Sequence, residues 1–205
     1  NVFNLMSPME QAQVYSRIDP NHPIYKGATV PDFLYIGGYA PAGDPLVDPS
    51  RYRFDPANAA NNYQIAATNK QGTDWFHEVF KTAPQMNHSL TASGGNENST
   101  YLFSLNYLNQ QGTLIETFLK RYATRVNTTF NIGKNKKIRV GENAYLFNRS
   151  APGIPGGNQN EGNAISFTYR IQPLIPVYDI AGNFAGTRLG TGEMGNAQNP
   201  VAMEK

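Results

Sequence analysis

The stretch STYLFSLNYLNQQG, Ser99 to Gly112, alternates with a period of two and predicts a strand to about Asn109. Tyr101, Phe103, Leu105 and Tyr107 point one way, and Thr100, Leu102, Ser104 and Asn106 point the other. Successive side chains leave a pleated strand on opposite sides, so the pattern predicts a strand with two unlike faces. Two solvents can sort such faces. In a soluble sheet the aromatic side packs on a protein core. In a membrane barrel it meets lipid, and the Ser/Asn side meets a wet lumen.

The alternation recurs around it. QMNHSLTAS sets Met86, His88, Leu90 and Ala92 against Asn87, Ser89, Thr91 and Ser93, and GGNEN (94–98) follows as a tight turn. YATRVNTTFNI sets Tyr122, Thr124, Val126, Thr128, Phe130 and Ile132 against Ala123, Arg125, Asn127, Thr129 and Asn131. GKNKK (133–137) is a basic turn, and IRVGENAYLFN the fourth strand, with a bulge expected near Gly141 because its alternation is ambiguous. Connections are expected to be short after the first and third strands. After the second (QQGTLIETFLKR) and the fourth they are expected to be long, as in outer-membrane barrels. Each strand is near the ~9–11 residues that cross a bilayer at a tilt. Four strands cannot close, since such barrels begin at about eight. The sequence is therefore expected to be a slice of a larger wall.

The flanks read differently. Ser7, Pro8 and Glu10 form a capping box for a helix over about Pro8 to Ser16, ended before Asp19-Pro20. The Pro-, Gly- and Tyr-rich run that follows has no sustained period and is too long for an ordinary connection, so a functional loop is expected. TDWFHEVF predicts a second short helix, capped by Thr73 or Asp74, with Trp75–Val79 and Phe76–Phe80 as i,i+4 neighbours. After Asn148 the chain returns to loop, interrupted by the apolar run ISFTYRIQPLIPVYD.

Composition narrows the function classes. Charged residues are 16% and the net charge is +2, too balanced for the basic footprint of a nucleic-acid binder. Cysteine is absent, which removes thiolate chemistry and Cys-based zinc sites. No signal-peptide pattern and no apolar run long enough for a helical span is present, and the mean hydropathy of -0.49 leaves a barrel open.

Local motifs carry little chemistry. GTGEMG spells G-x-G-x-x-G without the preceding strand and following helix of a dinucleotide site, so a flexible loop is expected. His77-Glu78 is half of a zincin motif with Lys81 where the second His belongs, and His22 and His88 have no ligand spacing. DIAGN (179–183) lacks the oxygen series of an EF-hand and reads as a β-turn. Asn87, Asn98, Asn127 and Asn148 head sequons that an Asn- and Thr-rich chain produces by chance. No metal, cofactor or catalytic residue is expected. A secreted glycan-degrading enzyme would need a pair of carboxylates, and the 15 acidic residues fall mostly on turns. Tyr35, Tyr39 and Trp75 are candidate substrate-binding residues, as stacking platforms for sugar rings or a contact for a partner protein, against the alternative that they pack the loop core. A soluble β-sandwich carbohydrate-binding module is the rival reading of the strands, with Tyr101, Phe103 and Leu105 in its core.

The motifs, taken in order, resemble one family. Asp74-Trp75, Ala83-Pro84 with Asn87-His88, Ser93 to Asn96 and the Tyr-rich strand Tyr101 to Tyr107 match the early barrel strands of SusC/RagA-type TonB-dependent outer-membrane transporters of Bacteroidetes. Gly112, Lys120 to Tyr122, Arg125 with Asn127, and Val140-Gly141 with Asn143 continue the match. NLMSPMEQAQVY is similar to the segment after the family's first barrel strand, and PLIPVYDIAGNFAG with NPVA to a later extracellular loop. The Tyr/Pro-rich insert around Phe33 to Pro56 departs from the shorter loops expected.

The resemblance implies a mainly β fold. The chain would be a fragment, roughly a fifth, of a large antiparallel transmembrane β-barrel of the 22-stranded TonB-dependent receptor type, with long extracellular loops bearing short helices. Residues 1–84 would form a loop region with two short helices, 85–148 four barrel strands, and 149–205 a second loop region. The plug, TonB box and remaining barrel would be absent. It also implies residence in the Gram-negative outer membrane and energised import of oligosaccharides or oligopeptides. The partners would be a SusD-like surface lipoprotein, membrane lipid, and the TonB-ExbB-ExbD system reached through a missing N-terminal part. Tyr101, Phe103, Leu105, Tyr107, Tyr122, Val126 and Phe130 would then face lipid. Ser104, Asn106, Arg125, Asn127, Thr129 and Asn131 would face the lumen, where hydrogen bonding to the plug is the first reading and direct solute contact the alternative.

Overall fold

The computed structural model describes residues 5–152 and 162–205; residues 1–4 and 153–161, parts of the two expected loop regions, lie outside it. It divides into two compact units. One takes the segments up to Phe80 and after residue 161, and the other starts at Lys81 and holds the long strands.

In the first unit both expected helices start at their caps. Helix α1 (Pro8–Ile18) opens on a complete capping box: the Ser7 hydroxyl accepts from the Glu10 amide, and the Glu10 carboxylate accepts from the Ser7 amide at 2.7 Å. The helix runs past the expected Ser16, and the Asp19 amide closes it on the Tyr15 carbonyl.

The irregular run after α1 holds a small sheet that its composition conceals. Strands β1 (Phe33–Tyr35), β2 (Gly38–Ala40) and β3 (Ile65–Ala67) pair antiparallel in the order β2-β1-β3. Three-residue strands are too short to show a period. The sheet is held by burial instead: Ala40, Val47 and Ile65 form a core on which Phe33, Tyr35, Tyr52 and Tyr63 pack. The Tyr35 ring lies over its cross-strand partner Gly38, where an added Cβ would come within 2.4 Å of the phenol oxygen, so only glycine fits.

Helix α2 (Trp75–Val79) is capped by Asp74, and its Phe76 and Phe80 rings stack at 4.4 Å as the i,i+4 spacing requires.

The second unit is one antiparallel sheet, β4 (Gln85–Gly95), β5 (Ser99–Gln111), β6 (Phe118–Ile132) and β7 (Ile138–Ser150), in sequence order. Two expectations fail here. The connection expected to be long is only residues 112–117: the Gly112 amide donates to the Thr117 carbonyl, and the Thr117 hydroxyl and amide close on Leu114. Gly112 is required there, because a Cβ would collide with the Thr117 hydroxyl. Phe118-Leu119 and Lys120-Arg121 broke the alternation in sequence, yet both pairs lie inside β6. There is also no bulge at Gly141, which faces Thr129 within an unbroken one-to-one register from Ile138 to Ser150.

Beyond the sheet, in the first unit, short helix α3 (Ala164–Phe167) starts the apolar run, whose Ile171, Leu174 and Ile175 are enclosed, and a further short helix α4 (Pro200–Glu204) buries Val201. DIAGN is a turn, but one with a buried hub. The Asp179 carboxylate accepts from its own turn (Ala181 and Asn183 amides, each 2.9 Å) and from two distant donors. These are the Tyr52 hydroxyl at 2.7 Å and the Gln64 side chain at 2.8 Å. GTGEMG is not a free loop: Met194, in a 3-10 turn, is buried, and the Gly190 amide donates to the Tyr35 carbonyl. Among the described residues no helix is long and apolar enough to cross a membrane.

Candidate functional site

Residues directly opposite in an antiparallel pair share a face, so the register sorts the whole sheet into two sides. On one side Met86, Leu90, Phe103, Leu105, Val126 and Phe130 meet, joined by Tyr101, Tyr107 and Tyr122. β7 extends it with Ile138, Val140, Ala144 and Leu146. His88, Tyr107 and Tyr122 stack across three strands, with centroids 6.3 and 4.9 Å apart. The Tyr101 ring covers Gly94 as Tyr35 covers Gly38.

The other side is polar. Asn106 is its centre, donating to Asn87 Oδ1 at 2.7 Å and Ser89 Oγ at 2.8 Å and accepting from Arg121 at 3.3 Å. Thr91 and Ser104 bond through their hydroxyls at 3.0 Å. Arg125, Asn127, Thr129 and Asn131 alternate along β6, and the buried Oδ1 of Asn127 has no donor. At the strand end the Asn131 amide donates to Asn98.

Exposure is the reverse of a soluble sheet. Tyr101, Phe103 and Leu105 are exposed, while Leu102, Ser104 and Asn106 on the same strand are half-buried. On β4 and β7, Leu90 is 68% and Leu146 71% exposed. On β5 the crowding lies on the polar side, whereas the edge strands β4 and β7 are exposed on both sides.

β7 holds what the sequence pattern hid. Tyr145, Leu146 and Phe147 are consecutive and apolar, so no alternation shows. Counting the register from the Ile132–Ile138 pair places Tyr145, Phe147 and Arg149 on the polar side, opposite Arg125, Ala123 and Arg121. The hairpin count was the signal that could have found them.

The three aromatic candidates of the first unit do not converge. Trp75 is 1% exposed, with its indole N–H directed at the Gln172 carbonyl at 3.4 Å, so neither ring face is open to a sugar. Tyr35 stacks on Tyr63 at 5.8 Å within the small sheet's core, and Tyr39 is half-buried on β2. A cavity of about 760 Å³ in the same unit is lined by Asp74, Phe76, His77, Thr168 and Tyr169. Asp74 bonds His77 through both the amide and the ring. Desolvation there pushes the Asp74 carboxyl up, but the His77 hydrogen bonds outweigh it and hold the group below its usual range. No group of three or more metal-ligating side chains gathers among the described residues.

No family model matches the chain. Among curated proteins, TonB-dependent receptor P3 of Formosa agariphila is 31% identical over 162 residues, covering 77% of this chain and 15% of that protein. TonB-dependent receptor SusC of Bacteroides thetaiotaomicron is 30% identical over 115 residues, covering 52% of this chain and 10% of that one. A solved structure of the RagAB peptide transporter is 25% identical, with a TM-score of 0.45, over 64% of this chain and 15% of that chain. The chain thus spans about 15% or less of the curated relatives it matches. Their class, the TonB-dependent receptors, consists of outer-membrane proteins of nutrient uptake. The chain belongs to it, as a segment of the SusC/RagA type.

Proposed function

We propose that this chain is part of the barrel wall and outer loops of an energised importer, in a complete barrel of the 22-stranded type. Tyr101, Phe103, Leu105, Tyr107, Tyr122, Val126 and Phe130 face lipid. Ser104, Asn106, Arg125, Asn127, Thr129 and Asn131 face a lumen. Residues 1–84 and 149–205 belong to extracellular loops, and a SusD-like lipoprotein closes over them while TonB acts on a plug encoded elsewhere in the protein. The solute is an oligosaccharide or oligopeptide, and no step is catalytic.

The observation that carries this reading is a sheet whose aromatic side stays open, with Tyr101, Phe103, Leu105, Tyr122 and Phe130 all exposed. The 13 residues of β5 extend about 43 Å, which at a tilt of about 45° covers the ~30 Å hydrocarbon core. A β-sandwich module would bury Tyr101, Phe103 and Leu105, which are exposed.

In the full-length protein, Phe103→Arg and Val126→Arg each place a charge in hydrocarbon at about 2–4 kcal/mol near the midplane. Both are expected to reduce the folded form in outer-membrane fractions, while Thr129→Lys on the opposite side assembles. Normal assembly of both arginine variants would sink the facing.

A further inference from the structure

The polar side of the sheet bears an unbalanced charge. Arg121, Arg125, Arg139 and Arg149 all lie on it, and none of its positions on the four strands is Asp or Glu. Arg121 and Arg149 are direct cross-strand partners, an arrangement in which like charges repel unless an anion lies between them. Arg121 gives one guanidinium nitrogen to Asn106 Oδ1, but its buried Nε has no acceptor.

Beside this pair stand two aromatic rings that burial does not explain. Tyr145 is 51% and Phe147 62% exposed, on the side that also carries the arginines, the Asn106 amide cluster and Leu102, Leu108 and Leu119. Their centroids are 5.8 Å apart, and the Arg125 guanidinium lies 6.0 Å from the Tyr145 ring. Phe147 faces Ala123, whose small side chain leaves a step between Arg121 and Arg125.

We infer that Arg121, Arg125, Tyr145, Phe147 and Arg149 form a subsite for an anionic oligosaccharide, one bearing carboxylate or sulfate groups. The guanidinium forks match either anion in a bidentate way. The ring faces accept the apolar face of a sugar, which a purely acidic protein surface would not need. Position favours a solute as well. The chain enters β4 and leaves β7 at the sheet end where Arg121 and Arg149 sit, with Lys120 paired to Ser150. On the proposed function, on which this inference rests, that end is the outer mouth, which arriving solute meets first.

The test is calorimetric titration of the purified full-length receptor with tetragalacturonate, a sulfated dextran oligosaccharide, maltotetraose and tetraglutamate. At low salt one of the two anionic sugars binds at least about tenfold tighter than maltotetraose. That margin is lost in the Arg121→Gln/Arg149→Gln double variant, and affinity for the sugar falls again in Phe147→Ser. Absence of preference for either anionic sugar overturns the inference, as does tetraglutamate binding equally tightly. Loss of the folded form in the double variant, with the preference intact in Phe147→Ser, also overturns it, by making the arginines a structural contact. Assembly of Phe103→Arg and Val126→Arg is scored in parallel. If both assemble normally, the barrel reading itself has failed; if they do not and no sugar preference is found, only the subsite has.

Discussion

The two units invert the usual relation between regularity and core. The irregular one is enclosed: Trp75, Tyr25, Leu34, Ile65, Leu174, Ile175 and Met194 are almost wholly out of solvent. The regular one has only Leu114 and Ala123 as buried hydrophobic residues among those described, and it exposes Leu90, Phe103, Ile138, Leu146 and Phe147. A backbone ladder supplies hydrogen bonds in any solvent, but a hydrophobic core forms only against water. The loops are thus built for water. The sheet keeps its aromatic side open, as the proposed function requires of a wall facing lipid.

That contrast can be broken at its strongest point first. Trp75→Ala empties a closed site and is expected to cost about 3–5 kcal/mol, read as earlier thermal unfolding and protease sensitivity in residues 5–80 of the full-length receptor. Phe103→Ala, which removes an aromatic ring of the bare face, should leave that sensitivity unchanged. Equal effects would mean that the two units share one core.

The second lever is polar. Asp179→Ala leaves the Tyr52 hydroxyl and Gln64 amide without their acceptor and opens the 179–183 turn. A loss of about 1–3 kcal/mol is expected, confined to the loop unit by hydrogen exchange. Slower or unchanged exchange there would remove Asp179 as its hub. Asp179 also contributes to the raised pKa of Tyr52, after burial as the larger cause.

The smallest effect is at α1. Ser7→Ala should cost about 1 kcal/mol and speed exchange in residues 7–12. The Glu10 carboxyl is held below its usual 4.5 by the Ser7 amide and then the Ser7 hydroxyl. A depressed acid stabilises the fold above its unfolded pKa, and that contribution fades as pH falls through the folded value. Protection in α1, measured as exchange relative to the intrinsic rate at each pH, should therefore fall on acidification below about pH 4.5, and Glu10→Gln should flatten the fall.

What the sequence disclosed was local. The Ser7 capping box and the Asp74 cap each depend on residues within one turn, and the faces of β4, β5 and the second half of β6 on a period of two. What escaped it depended on partners far along the chain. Strands β1 to β3 exist because Leu34 and Ile65 are buried, which no window around Phe33 reveals. The β5–β6 turn looked long because Phe118 to Arg121 lack alternation, although pairing with β5 carries them into the sheet. Tyr145 and Phe147 could be assigned a side only through the hairpin register. Asp179 gathers donors from more than a hundred residues upstream.

The four strands return the chain to the side from which it set out. A single hairpin of two strands is the smallest piece of an antiparallel sheet that can be added or lost without reversing the direction of every strand after it. On the proposed function, a barrel built from such hairpins changes circumference in steps of two strands while both flanking segments keep their orientation.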